Sequence, residues 1–201
     1  MSPVARFTLA YAAAFTAFCA GAGDRRVVAY LVVLAVTATL AYRADRIARF
    51  TPAVAWGLSA SGLAHLAGGL LPSPQPGAPV FYETWLVAGV LKYDQVVHAG
   101  VSAVLTVAAW QLVGAWIDEG RCPPRARAAL AAFVALGLGG LNEAVEFLSA
   151  LRFADAFVGG FENTGWDLVF DAFGVIGAAL WLALSAPVPA PPPALLQPSP
   201  R

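Results

Sequence analysis

The chain has little charge, few cysteines and only two histidines. Asp, Glu, Lys and Arg make up 12% of its 201 residues, the formal net charge is zero, and Lys92 is the single lysine. Such a composition provides no basic patch that would attract nucleic acid, so we expect no nucleic-acid partner. Cys19 lies in an apolar segment and Cys122 in a polar loop, without a C-x-x-C motif, so neither a disulfide nor a function for cysteine is indicated.

Apolar residues are abundant instead. They form 59% of the chain, and the mean hydropathy is +0.70, which is typical of a polytopic membrane protein. Six apolar runs approach the roughly 20 residues that a bilayer span needs. The runs cover residues 7–22, 27–42, 52–71, 91–117, 128–151 and 166–186. We therefore predict an all-α membrane bundle of about six transmembrane helices, forming one domain over residues 1–186.

Two ends of the chain call for separate interpretation. The first apolar run follows Arg6 and ends in A-G-A-G-D, so a signal peptide cleaved after Ala22 is an alternative that would leave five helices. The tail 187–201 is proline-rich and has no apolar period, which predicts disorder.

Between the third and fourth runs, P-S-P-Q-P-G-A-P predicts a turn, and F-Y-E-T-W after it predicts an interfacial segment.

The arginines predict the orientation of the bundle. Positively charged loop residues favour the cytoplasmic side of a membrane protein. One side would carry Arg6, Arg43, Arg46, Arg49, Arg121, Arg125, Arg127 and Arg201, and the other Arg25, Arg26, Lys92 and Arg152. Both termini are therefore expected to be cytoplasmic.

Seven ionisable residues then fall at one depth, near the outer face. They are His65, Asp94, His98, Glu143, Glu146, Asp167 and Asp171. Because residues three or four apart share a helix face, the carboxylate pairs on the fifth and sixth helices can each point to one side. A charged side chain at the bilayer centre costs about 2.5 to 3.5 kcal/mol, so this grouping needs a compensating interaction.

Each of these residues also has a purely structural interpretation. His65 could bond to a neighbouring helix, and Asp94 with His98 could form an intrahelical pair whose counter-ion is Lys92. The glutamates could pair with Arg152, and Asp167 could cap the sixth helix.

A shared polar site is the simpler interpretation, because both histidines and five of the twelve acidic residues fall in this layer. Ser102 and Gln111 lie deeper on the fourth helix, and we expect them to tolerate alanine better than Asp94 does. Several glycines would let the helices approach closely around the site. They are Gly68, Gly69, Gly100, Gly137, Gly139, Gly140, Gly174 and Gly177.

The charges of this layer predict a bound cation. Five carboxylates and two imidazoles in a low-dielectric layer cannot all be ionised unless protons or a metal are held there. The arrangement is loosely similar to carboxylate-bridged metal centres of helix bundles. Oxygen ligands with imidazole suit Mn, Fe, Zn or Mg, and the sequence does not distinguish among these divalent ions. All seven residues are therefore candidate metal ligands or acid/base groups.

The same residues resemble a family pattern. Asp94 with His98, then Glu143, then Asp167 with Gly174 match the Asp-x-x-x-His, Glu-x-x-Gln and Asp-x-x-x-Asn-x-x-Gly elements of the VanZ-like superfamily. The resemblance covers roughly residues 60–177. Two positions depart from the pattern, because Glu146 stands at the glutamine and Asp171 at the asparagine. With W-D-L-V-F-D, these departures look more like the YjdF type of bacterial inner-membrane protein.

We therefore expect an integral protein of the bacterial inner membrane, in contact with the lipid bilayer. The leading hypothesis is a metal-dependent enzyme that acts on a lipid or an envelope precursor at the outer leaflet. A transporter that carries protons or cations is the alternative, although its ionisable groups would be distributed through the membrane rather than in one layer. A scaffold without catalytic activity is the third possibility.

Overall fold

Six α-helices make up almost the whole structure, which is a computed structural model describing residues 1–117, 122–152 and 160–185, with the backbone alone for Arg152. The helices are α1 Pro3–Ala22, α2 Arg26–Ala48, α3 Pro52–Leu70, α4 Tyr93–Trp116, α5 Pro124–Arg152 and α6 Phe161–Ser185. The predicted all-α bundle of about six helices is confirmed. The predicted disordered tail, 187–201, lies outside the described residues.

Five of the six helices are long and apolar enough to cross a membrane. These five, among the residues that the structure describes, are α1, α2, α4, α5 and α6. The remaining helix, α3, has 19 residues and contains two serines, four glycines and His65 among its apolar residues. It packs against α1, α2 and α4, so its polar groups lie within the bundle.

Local signals in the sequence explain where several helices begin. Ser2 accepts a hydrogen bond from the backbone N–H of Ala5 (3.2 Å), and Pro3 follows at the first helical position. Prolines also open α3 and α5. At the start of α4, the side chain of Gln95 accepts from the backbone N–H of Lys92 (2.8 Å).

The connection between α3 and α4, residues 71–92, folds into a small cap on the bundle. It contains a 3-10 turn, Phe81–Glu83, and two short antiparallel strands, β1 Trp85–Val87 and β2 Leu91–Lys92. The Gln75 side chain exchanges two hydrogen bonds of 2.9 Å with the backbone of Trp85. The prediction that the fourth helix starts at residue 91 is therefore wrong by two residues, because Leu91 and Lys92 pair with β1.

One buried core lies between α1, α2 and α3. It is formed by Tyr11, Cys19, Val27, Leu66 and Leu70. The Tyr11 hydroxyl donates to the backbone carbonyl of Ser59 (3.1 Å), which fixes α1 against α3. In the structure α1 therefore packs into the bundle. Ala22, after which cleavage is the predicted alternative, is the last residue of α1 and directly precedes the turn to α2.

The second half of the bundle centres on α4, which contacts α2, α3, α5 and α6. The backbones of α4 and α6 approach closely, since a Cβ at Gly174 would collide with the carbonyl oxygen of Ala99. A Cβ at Gly177, one turn further along, would meet nothing within 4 Å. Of the predicted close-approach glycines, Gly174 therefore sets the α4–α6 distance.

Candidate functional site

His98 lies at the centre of a ring of carboxylates. Its Nε2 is 3.7 Å from Oδ1 of Asp94 and 3.8 Å from Oδ1 of Asp167. Its Nδ1 is 3.2 Å from Oδ1 of Asp171 and 4.0 Å from Oε1 of Glu143. Only 5% of His98 is exposed. One imidazole therefore contacts acidic groups from three helices.

Helical spacing explains how the six residues meet. Asp94 and His98 are one turn apart on α4, as are Asp167 and Asp171 on α6, while the two glutamates are three apart on α5. The three helices pack against one another, so these faces converge. We call this set the His98 cluster; its members are Asp94, His98, Glu143, Glu146, Asp167 and Asp171. The structure thus brings six of the seven predicted site residues together.

His65, the seventh predicted site residue, faces a different partner. Its Nδ1 shares a short hydrogen bond with the hydroxyl of Tyr82, which belongs to the 71–92 cap. Gly68 makes room for this tyrosine, because a Cβ there would collide with its ring. Burial raises the pKa of Tyr82 well above its ordinary value, and Tyr30 and Asp94 add to the shift, so the phenol remains protonated. His65 therefore lies outside the His98 cluster, and its hydrogen-bond partner comes from the 71–92 cap.

Three hydrogen-bond donors of the cluster were missed by the sequence argument. Asn163 donates to Oδ2 of both Asp94 (3.3 Å) and Asp167. Asn142 donates to Oε1 of Glu146 (2.8 Å). Both asparagines lie four residues before a cluster acid on the same helix, so the spacing that relates the acids would also have found these amides.

Ser102 is the third missed donor. Its hydroxyl donates to Oδ1 of Asp171 (2.6 Å), and Ser102 itself is only 1% exposed. Ser102 lies one turn after His98, so both contact the same carboxylate from α4. The expected tolerance of alanine at Ser102 stays a prediction, and this contact argues against it. Gln111 is distant from the cluster and instead bonds to Thr51.

Three buried carboxylate oxygens remain without a hydrogen-bond partner among the described residues. They are Oε2 of Glu143, Oδ1 of Asp167 and Oδ2 of Asp171. The ion pairs of the cluster acids within the described ranges are all with His98. Buried carboxylate oxygens normally have partners, because an unpaired one loses its hydration without compensation. The cluster therefore has buried carboxylate oxygens with spare capacity to accept hydrogen bonds or bind a cation.

The structure can be compared with the purely structural interpretations of these residues. The ammonium of Lys92 lies 5.2 Å from the ring centroid of Trp85, a cation–π contact outside the cluster. Asp167 is the seventh residue of α6 rather than its cap, because the helix begins at Phe161. The capping interpretation of Asp167 is thus wrong. The side chain of Arg152, the suggested partner of the glutamates, lies outside the described residues.

A glycine gives Asp171 its space. Gly139 of α5 lies directly opposite, where a Cβ would collide with Oδ2 of Asp171. Cβ atoms at Gly137 and Gly140 would meet nothing within 4 Å. The close approach of α5 to the Asp171 carboxylate therefore depends on one glycine of the three.

The donor atoms are close enough together to surround a cation. One ligand atom each from Asp94, His98 and Asp167 lie within 4.8 Å of one another, and the same holds for His98, Glu143 and Glu146. Carboxylate oxygens with one imidazole form a suitable ligand set for Mn, Fe, Zn or Mg. Residues on separate helices supply these atoms, and within the described part of the chain three carboxylate oxygens of the cluster accept no hydrogen bond, so the residues fit a divalent metal.

Fold and cluster together define a polytopic membrane protein with a buried His/Asp/Glu cluster that could bind a metal. A protein-family model described as Predicted membrane protein (DUF2238) matches residues 3–186. The chain belongs to this family. No curated protein matches the chain, and no solved structure matches it either.

Proposed function

We propose that the chain is a metal-dependent enzyme of the bacterial inner membrane that acts on a lipid or an envelope precursor. The observation that carries this proposal is the set of three buried carboxylate oxygens around His98 that have no hydrogen-bond partner among the described residues. A divalent ion bound by Asp167 would supply a partner for one of these carboxylates and place positive charge beside the other two. It would also offset the repulsion among carboxylates packed around one imidazole, which low-dielectric surroundings make strong.

The two nitrogens of His98 suggest how an ion would be held. Nε2 lies nearest Asp94 and Asp167, which form one of the two candidate ligand groups with it. Nδ1 lies nearest Asp171. A metal-ligating histidine usually donates its other ring N–H to a carboxylate, which fixes the ring and the tautomer. We therefore assign Asp94, His98 Nε2 and Asp167 as ligands, with Asp171 orienting the ring.

The remaining groups have roles that follow from this assignment. Ser102 holds the Asp171 carboxylate, and Asn163 holds those of Asp94 and Asp167. Glu143 and Glu146 complete the ring, where one could add a ligand and the other accept or donate a proton. A divalent ion at this position would polarise a phosphoryl or carbonyl oxygen of the substrate.

The two departures from the VanZ-like pattern support the finer family assignment. Glu146 and Asp171 replace the expected amides, and both belong to the His98 cluster. Extra carboxylates strengthen cation binding, because each adds negative charge and two acceptor oxygens. We propose on this basis that the chain is of the YjdF type within the VanZ-like superfamily, and that its site is more acidic than the family pattern.

The proposed activity can be tested by lipid turnover. The purified protein would be reconstituted in nanodiscs of bacterial polar lipids and incubated with Mn, Fe, Zn or Mg or with a chelator. We expect metal-dependent conversion of a lipid, detected by mass spectrometry, which His98→Ala abolishes. Glu162→Gln is the matched control, because Glu162 is an exposed acid of α6 outside the cluster. Proton flux in proteoliposomes without lipid conversion would instead identify a transporter, and neither activity would leave a scaffold.

We also propose that α3 crosses the membrane together with the other five helices, so that both termini are cytoplasmic. The arginine distribution supports this orientation, in which residues 118–127 face the cytoplasm and residues 77–85 and 154–165 face outward. Reporter fusions at Gly120 and Gly160 should therefore give opposite signals. Gly120 lies outside the described residues, but it separates α4 from α5, and Gly160 precedes α6. Signals from the same side would contradict the topology and the outward-facing site.

A further inference from the structure

A basic cleft lies at the end of the bundle opposite the His98 cluster. From Asp94 to Gln111 along α4 the distance is about 25 Å at 1.5 Å per residue. Two adjoining cavities of about 390 and 330 Å³ open there, and Arg49 lines both. We call them together the Arg49 cleft; its polar walls are Asp45, Arg46, Arg49, Thr51, Gln111 and Arg127. Among the described lining residues, Arg46 and Arg49 bring two positive charges against the single carboxylate of Asp45.

Arg49 has an unusual backbone conformation. With φ 50° and ψ 66° it lies in the left-handed region, and within the described ranges no other non-glycine residue has a positive φ. Glycine is the residue that this conformation favours. Arg49 is the C-cap of α2, a position where helices commonly end in this conformation, and its backbone N–H donates to the carbonyl of Asp45. Because a side chain is strained there, a glycine would relieve the backbone while removing the guanidinium.

The neighbouring turn residues are held by hydrogen bonds. Asp45 accepts from the backbone N–H of Phe50 (2.8 Å), so part of its charge is already engaged. Gln111 accepts from the backbone N–H of Thr51 (2.9 Å) and donates to its hydroxyl (3.0 Å). These bonds fix the α2–α3 turn to α4, so the floor of the cleft is preorganised.

The third arginine is fixed as well. Nε of Arg127 donates to the backbone carbonyl of Trp110 (2.9 Å), and its guanidinium lies 4.2 Å from the centroid of that indole ring. Gly114 provides the room, since a Cβ there would collide with the guanidinium. The contact with Trp110 therefore fixes the position of the Arg127 guanidinium at the edge of the cleft.

The surroundings of the cleft indicate which anion it meets. Tyr42, Ile47 and Trp116 are 59%, 50% and 65% exposed at this end of the membrane-spanning helices. Exposed aromatic residues at helix ends are typical of the membrane interface, where lipid headgroups lie. Basic pockets between transmembrane helices bind anionic headgroups. We infer that the Arg49 cleft binds the phosphate of an anionic phospholipid headgroup.

The test compares lipids and arginine variants. The purified full chain would be placed in nanodiscs of phosphatidylcholine, alone or mixed with phosphatidylglycerol, and its melting temperature and retained lipid measured. The wild type should melt higher with phosphatidylglycerol and retain it in native mass spectrometry. Arg49→Gly should lower phosphatidylglycerol affinity about 10- to 100-fold through loss of a charged hydrogen-bonding group. Its melting temperature in phosphatidylcholine should stay equal or rise, because glycine relieves the strained backbone.

Two controls keep the outcome decisive. Arg43→Gln removes the same charge from an exposed position of α2 that does not line the cleft, and should keep the lipid effect. Arg46→Gln, on the cleft wall, should weaken it and replaces Arg49→Gly if that variant fails to fold. The inference would be overturned if Arg43→Gln lost phosphatidylglycerol affinity as much as Arg49→Gly does. It would also be overturned if millimolar inorganic phosphate stabilised the protein in phosphatidylcholine as much as phosphatidylglycerol does, or if phosphatidylglycerol did not affect the wild type.

Discussion

Removing a bound divalent ion with a chelator is expected to lower the melting temperature of the purified protein by about 5 to 10 °C. The assigned ligands come from α4 and α6, so the ion would hold together two helices that α5 separates in the sequence. A ligand at 100 times its dissociation constant stabilises the folded state by about 2.7 kcal/mol. For a chain of this length each kcal/mol corresponds to about 2 to 4 °C. Melting in mild detergent, with Mn, Fe, Zn, Mg or chelator, measures the shift.

Variants show whether the shift arises at the His98 cluster. His98→Ala removes the imidazole that both candidate ligand groups include, so its melting should be insensitive to chelator. Asp171→Asn alters only the group that orients the ring, so it should bind metal about 10- to 100-fold more weakly and recover the shift at higher metal concentration. Glu162→Gln should behave as the wild type. An unchanged metal-dependent shift in His98→Ala would place the ion elsewhere.

A single methyl group at Gly139 is expected to reduce metal affinity about 10- to 100-fold. The added Cβ would collide with Oδ2 of Asp171, so the carboxylate would have to shift and its contact with Nδ1 of His98 would be disturbed. Loss of an outer-shell partner of a metal-bound histidine has an effect of this size. Titration of the melting temperature with the metal that stabilises the wild type gives the affinity.

The same helix offers matched controls for this change. Gly137→Ala and Gly140→Ala add the same methyl group within a few residues, but it meets nothing within 4 Å. Both should keep wild-type metal affinity and gain up to about 1 kcal/mol of stability, because alanine is the better helix former. If all three variants behaved alike, the space opposite Asp171 would have no role in the site.

The helices and the convergence of the acids could be predicted from the sequence. Apolar runs of the right length predict the helices, and alternating directions bring the end of α5 next to the starts of α4 and α6. Spacings of three and four then place each pair of acids on one face. Predicting the six members of the His98 cluster required only helix spacing and helix order, which the sequence provides.

The missed features depend on contacts that spacing does not determine. His65 has the right depth, but its partner is Tyr82, which reaches it through the irregular backbone of the 71–92 cap. Eight glycines were candidates for close helix approach, yet only the structure distinguishes Gly139 and Gly174 from Gly137 and Gly177. Rotation of each helix about its axis decides such contacts, and hydropathy does not define that rotation to within one residue.

The most direct test of the proposed metal site is elemental analysis of protein purified in mild detergent without chelator. The proposal predicts about one Mn, Fe, Zn or Mg per chain in the wild type and in Glu162→Gln, and a large loss in His98→Ala, because His98 belongs to both candidate ligand groups. Sub-stoichiometric metal in the wild type, together with chelator-insensitive melting and no recovery on adding any of the four ions, would contradict the metal site and favour proton-coupled transport.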